Sequence, residues 1–171
     1  MGYNLAIGEA YMDYDKADAY LRIRAKSQHD ENSPAFGEPT DHTNQRWPSY
    51  CSWSDFCEAV DIYDIMMSKD FYTDDIHECM IPDHPGYSVI TQKHIDYIES
   101  RVDLYKKSNP THIAKFRPLK PEFKDDDSIF HPPEHYIDDE KYDGNLCRAE
   151  WLLYWMKWAV ENCEIPIFYN S

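Results

Sequence analysis

Leu146-Cys-Arg-Ala-Glu-Trp-Leu-Leu-Tyr-Trp-Met-Lys-Trp-Ala-Val-Glu-Asn162, continued by Cys-Glu-Ile-Pro-Ile-Phe-Tyr169, is the stretch on which the fold turns. Leu146, Ala149, Leu152, Leu153, Met156, Ala159 and Val160 recur at helical spacing and make a wide apolar stripe. Trp151, Trp155 and Trp158 widen it, which predicts a central helix over about 146–162, capped by Asp143 or Asn145. Pro166 closes the helical pattern, and Ile165 to Tyr169 then reads as a last strand. A buried helix that runs directly into a strand points to an α+β chain.

The other end of the sequence supplies the strand's neighbours. Residues 3–27 read as a β-hairpin. In its second arm Leu21, Ile23 and Ala25 alternate with Tyr20, Arg22, Arg24 and Lys26, the period of a strand with one buried face. Its first arm, Asn4 to Tyr11, puts Leu5 and Ile7 on one face, and Asp13 to Asp18 supplies the turn. Between hairpin and last helix two more helices are expected. Ser52 with Asp55 resembles a capping box ahead of Phe56, Ala59, Val60, Tyr63 and Met67. Thr91 can cap a helix to about Lys107 through Ile95, Ile98, Val102 and Tyr105. Asp70 to Ser88 reads as irregular, broken by Pro82, Pro85 and Gly86. Residues of about 108–143 form a Pro-rich, acidic meander. The expectation is one domain over residues 1–171: a small antiparallel sheet, the N-terminal hairpin plus the C-terminal strand, packed with about three helices.

Composition narrows the function classes. Aromatic residues make up 15% of the chain, too many for a disordered protein despite a mean hydropathy of −0.76. Lys and Arg number 17 against 32 Asp and Glu, a formal charge of 17 − 32 = −15. That field repels nucleic acid and anionic membranes, so direct nucleic-acid binding is not expected, and a protein partner would be basic. No run of 18 apolar residues suggests a membrane span, and the start lacks the pattern of a signal peptide. The five cysteines are odd in number and irregularly spaced, as for reduced thiols in a cytoplasm.

The candidate site is a long loop, residues 28–52. Its centre, Pro34-Ala-Phe-Gly-Glu-Pro-Thr-Asp-His-Thr-Asn-Gln-Arg-Trp-Pro-Ser-Tyr50, sets Glu38, Asp41, His42, Asn44 and Arg46 among Phe36, Trp47, Tyr50 and Trp53. Flat apolar faces beside a few donors and acceptors are what a small-ligand pocket needs. Aromatic rings stack on nucleobases, and one Arg can fork onto a phosphate. In a ligand-binding reading Phe36, Trp47, Tyr50 and Trp53 stack, Arg46 and His42 meet anionic or polar groups, and Glu38, Asp41 and Asn44 fix orientation. The same aromatics would serve equally to fasten a long loop to the core, with Asp, Thr and Asn forming its turns. Such residues also suit a homodimer interface.

Other constellations are weaker. His77, Cys79 and His84 match no standard zinc spacing, so no metal or other cofactor is expected. There is no G-x-S-x-G, Walker A or G-x-G-x-x-G motif, which leans away from an enzyme. His42 with Glu38 or Asp41 is the acid–base set a nucleotide hydrolase or lyase would use. The acidic runs 125–127 and 138–140 could be solvated surface or an array that mimics a phosphate backbone and blocks a basic host protein.

The loop also carries a resemblance. Ala35-Phe-Gly-Glu-Pro-Thr-Asp-His-Thr-Asn-Gln-Arg-Trp-Pro-Ser-Tyr50 followed by Ser52-Trp53, with Met1 to Ala10 and Arg148 to Ser171, resembles small acidic proteins encoded by bacteriophages, a group with no assigned activity. The likeness leaves residues 68–142 uncovered. It implies an accessory protein made in the cytoplasm of an infected bacterium. Such a protein would counter host defence by holding a nucleotide signal or by blocking a defence protein.

Overall fold

A computed structural model describes residues 1–14, 21–34, 42–114 and 141–171. The hairpin forms β1 (Leu5–Tyr14) and β2 (Leu21–Ala25), with Ala10 opposite Ala25 and Tyr14 opposite Leu21. The last strand is β5 (Pro166–Asn170), antiparallel to β1 from Leu5↔Asn170 to Glu9↔Pro166. Two short strands complete the sheet: β3 (Gln45–Arg46) on β1, and β4 (Gly86–Val89) on β5. The order is β2-β1-β5-β4, and every pairing is antiparallel.

Alternation gives this sheet two faces. Leu5, Ile7 and Phe168 point to the helices and join the main core, while Ala6, Ala25, Ile167 and Tyr169 form a smaller cluster. A slip of one residue between β1 and β5 would turn Leu5 and Ile7 away from the helices. At roughly 2 kcal/mol for each large side chain exposed, the slip is excluded.

Four helices cover the first face: α1 (Tyr50–Ala59), α2 (Tyr63–Met67), α3 (Gln92–Ser108) and α4 (Gly144–Asn162). Helix α4 is central, as its stripe predicts. Trp151, Leu152, Trp155, Met156 and Ala159 are buried in the core it shares with Trp53 and Phe56 of α1 and Ile95, Ile98 and Val102 of α3. Thr91 caps α3 reciprocally with His94, and Asp143 caps α4.

The helix expected over 52–67 is two helices. Asp61 sits at φ 59°, and its amide donates to the Glu58 carbonyl (3.1 Å) while Ile62 N–H donates to that of Cys57 (2.8 Å). That pair of bonds is a Schellman stop with Asp where Gly usually stands. The N-cap is Ser49, whose hydroxyl accepts from Ser52 N–H, so the helix begins earlier than Ser52. Much of the 108–143 meander, with both acidic runs, lies outside the described residues. No helix among the described residues is long and apolar enough to cross a membrane.

Candidate functional site

The loop returns to the described residues at His42; Phe36, Glu38 and Asp41 lie outside them. Residues 42–44 run against 28–30, through Asp30 N–H to the His42 carbonyl (3.0 Å) and Asn44 N–H to the Gln28 carbonyl (3.2 Å). His42 Nδ1 lies 2.7 Å from the Ser33 carbonyl, so it carries the proton and donates.

Asn44 is fully buried, with 0% of its surface exposed. Its Nδ2 donates to the carbonyls of Ile7 (2.7 Å) and Lys26 (2.8 Å), and its Oδ1 accepts from Gln28 N–H (2.9 Å). The side chain stands beside Gly8, where an added Cβ would come within 3.1 Å of Nδ2. Asn44 thus joins β1 to the chain leaving β2.

Two residues on, Arg46 is buried in the same sense. Its guanidinium lies 5.0 Å from the Trp151 ring centroid, and Nη1 donates to the carbonyls of Thr43 (3.1 Å) and Gln45 (2.5 Å). Trp151 Nε1 donates to the same Thr43 carbonyl (2.9 Å). Arg46 fastens the loop to α4. Trp53 is in the core, its ring 5.0 Å from Phe56 and 6.5 Å from Phe168.

Trp47 faces the other way and is 65% exposed. Beside it the N-terminal chain crosses Pro48, with Tyr3 N–H bonded to the Pro48 carbonyl (2.9 Å). Gly2 passes so close that a Cβ there would sit 2.4 Å from that oxygen, which requires glycine. Met1, Gly2, Tyr3, Asn4, Trp47, Pro48 and Ser49 line an open groove of about 380 Å³.

Tyr50 stands behind this groove in a ring cluster with Tyr3 (4.7 Å) and His84 (5.5 Å). Its hydroxyl lies 2.8 Å from His84 Nε2, and His84 Nδ1 lies 2.9 Å from Asn170 Oδ1. Asn170 Nδ2 donates to Gly86 O (3.2 Å), so Oδ1 is the acceptor, Nδ1 of His84 holds the proton, and Nε2 accepts from Tyr50. Both nitrogens of His84 serve this cluster. His77 packs on Tyr72 and Cys79 is buried; among the described residues no three His, Cys, Asp or Glu gather as a metal site.

Of the loop residues expected to bind a ligand, the fold brings Trp47 and Tyr50 to one edge. It directs Asn44, Arg46 and Trp53 inward, and His42 to Ser33. The groove sets the Trp47 indole beside Tyr3, Asn4 and Ser49, with no Lys, Arg or His among its lining residues. It suits a flat ring better than a phosphate.

A second polar cluster has no signature in the sequence beyond the capping role expected of Asp143. Asp143 Oδ2 accepts from Tyr105 OH (2.7 Å) and pairs with His112 Nδ1 (2.6 Å), while Oδ1 accepts from Asn145 N–H (2.9 Å) and Leu146 N–H (3.0 Å). Burial pushes the carboxyl's pKa up, but the bonds from His112, Tyr105 and the two amides outweigh it and leave the pKa below the ordinary value. Burial, with the Asp143 charge beside it, pushes Tyr105 up to about 12. His112 and Leu146 border a cavity of about 400 Å³ with Lys106, Asn109 and Glu150. Since His112 is 31 residues from Asp143 in sequence, only the packing of α3 on α4 reveals the pair.

All five cysteines are free thiols. Burial pushes the Cys57 thiol far up and Cys147 up to about 11, away from nucleophilic thiolates. No protein-family model matches the chain, and no curated protein and no solved structure matches it.

Proposed function

We propose that the protein is a non-enzymatic accessory binding protein that sequesters a small nucleotide-like ligand, with Trp47 as the stacking face. The observation that carries the reading is the position of Trp47: an indole left 65% exposed beside an open groove. An exposed Trp that contributes nothing to the core is a feature of binding surfaces. The loop's resemblance to phage-encoded proteins supports a role inside an infected bacterium, where holding a nucleotide signal would blunt host defence.

Titration of the 171-residue chain with nucleosides and cyclic nucleotides, followed by tryptophan fluorescence and calorimetry, tests this. One base on one ring is worth about 1–3 kcal/mol, so Trp47→Ala should weaken binding roughly 5- to 150-fold. Trp47→Phe should recover part of the loss. Ligand released by denaturation should have its original mass. Absence of binding at millimolar ligand, or equal affinity in Trp47→Ala, would rule the reading out.

A second reading, an acidic inhibitor of a basic host protein, has its own support. The chain carries −15, and Asp55, Glu58, Asp70, Asp74, Glu78 and Asp103 are exposed without an ion-pair partner among the described residues. A partner held this way should be released by salt.

A further inference from the structure

Among the described residues no strand pairs with the outer edge of the sheet, β4. The bond from Ile90 N–H to the Pro166 carbonyl (2.9 Å) and the register Gly86↔Asn170 to Val89↔Ile167 fix which way each β4 residue turns. In an antiparallel ladder hydrogen-bonded residues alternate. Gly86, Ser88 and Ile90 therefore direct their backbone groups to β5, and Tyr87 and Val89 direct theirs outward. Neither has a backbone hydrogen bond beyond β4 among the described residues. The two residues are 42% and 47% exposed. Ser88, between them, is buried and bonded to the Met80 carbonyl (2.7 Å), so the strand is held firmly from behind.

Sheet edges in monomers are commonly guarded by Lys, Pro or a bulge. Here the outward positions are Tyr and Val, residues that favour strand pairing. We propose that β4 pairs antiparallel with β4 of a second copy of this chain, across a two-fold axis at Ser88. The edge is self-complementary about that point. A two-fold axis at Ser88 puts Tyr87 opposite Val89 of the other copy, and Val89 opposite its Tyr87. Both are outward-facing, so the two pairs exchange four N–H···O=C bonds. Each also makes an aromatic–β-branched cross-strand pair, a favourable combination. Asp83 and Lys93, which flank β4, are each paired within their own chain, with Lys69 (3.2 Å) and Asp75 (3.5 Å), so they set no unbalanced charge against the edge. A symmetric contact closes at two copies.

Sedimentation and light scattering of the full chain over a wide concentration range test this. The mass should rise from 20.3 kDa toward twice that value, and more readily in high salt, which screens the repulsion between two chains of −15. Val89→Pro removes an outward N–H and no bond to β5, a place where an edge strand tolerates proline. It should weaken association at least tenfold with an unchanged circular dichroism spectrum. Tyr87→Lys should do the same by charge, and it carries the test if the proline variant does not fold. Trp47→Ala should leave the mass unchanged. A constant 20.3 kDa at all concentrations overturns the proposal, and would leave the edge to an extended peptide from another protein. A dimer that survives both edge variants overturns it as well.

Discussion

Asn44→Asp should lower the stability of the protein by about 4 kcal/mol at neutral pH, the largest loss expected from any single change in the loop. The side chain donates two hydrogen bonds through Nδ2, to Ile7 O and Lys26 O, and accepts one at Oδ1 from Gln28 N–H. Aspartate keeps the shape and the acceptor but turns the two donated bonds into contacts between a carboxylate and two carbonyl oxygens. Each buried group left unbonded costs about 1–3 kcal/mol, and the buried charge adds to that. For a chain of this length the melting midpoint should fall by roughly 8–16 °C. The sign of the pH dependence follows. The new carboxyl would have a folded pKa above the unfolded value near 3.9, so its penalty is full above the folded pKa and shrinks as pH falls and the group takes a proton. Urea unfolding at pH 7 and at about pH 4.5 should show Asn44→Asp approaching the parent in acid, while Asn44→Ala, with no proton to gain, keeps a constant deficit. A midpoint within about 2 °C of the parent at pH 7 would mean that Asn44 does not hold the loop.

Helices α3 and α4 follow from periodicity, because 17 and 19 residues repeat one pattern against one apolar face, and the hairpin follows from the alternation of Leu21, Ile23 and Ala25 with charged neighbours. β3 and β4 have two and four residues, too few to show a period. Gly86-Tyr-Ser-Val89 is a strand because β5 offers its free edge there, a fact of tertiary pairing. The break at Asp61 was hidden for a different reason: a helix stop in the left-handed region is usually announced by Gly, and Asp takes its place.

In the loop, composition identified an unusual segment but not the direction of any side chain. That direction is set by the pairing of β3 on β1: Asn44 and Arg46 are buried, Gln45 is half-buried and Trp47 exposed. Read as a short strand, Thr43-Asn-Gln-Arg-Trp47 would have separated the anchors from the exposed indole. Asn44 and Arg46 have polar groups that water would otherwise satisfy, so their burial needed partners the sequence places far away: Ile7, Lys26 and Trp151.

Asp143→Ala should cost about 3 kcal/mol, through loss of an N-cap and of hydrogen bonds to a buried charge. Asp143 is 7% exposed, and its carboxylate joins three elements: the first turn of α4 through Asn145 and Leu146, the last turns of α3 through Tyr105, and the following turn through His112. Asp143→Asn separates the two contributions. Its Oδ1 can still cap α4, so part of the stability should return, but its amide opposes the Tyr105 and His112 donors with donors of its own. The pH dependence isolates the charge. The folded pKa of Asp143 lies below the ordinary value because His112, Tyr105 and the two amides outweigh burial. Its contribution is therefore complete above the unfolded pKa near 3.9 and disappears as pH falls through the lower folded value. The stability gap between the parent and Asp143→Asn should be widest at pH 7 and close in strong acid. A gap that stayed constant across that range would mean that Asp143 acts as a neutral cap alone, and that the joint between α3 and α4 owes nothing to its charge.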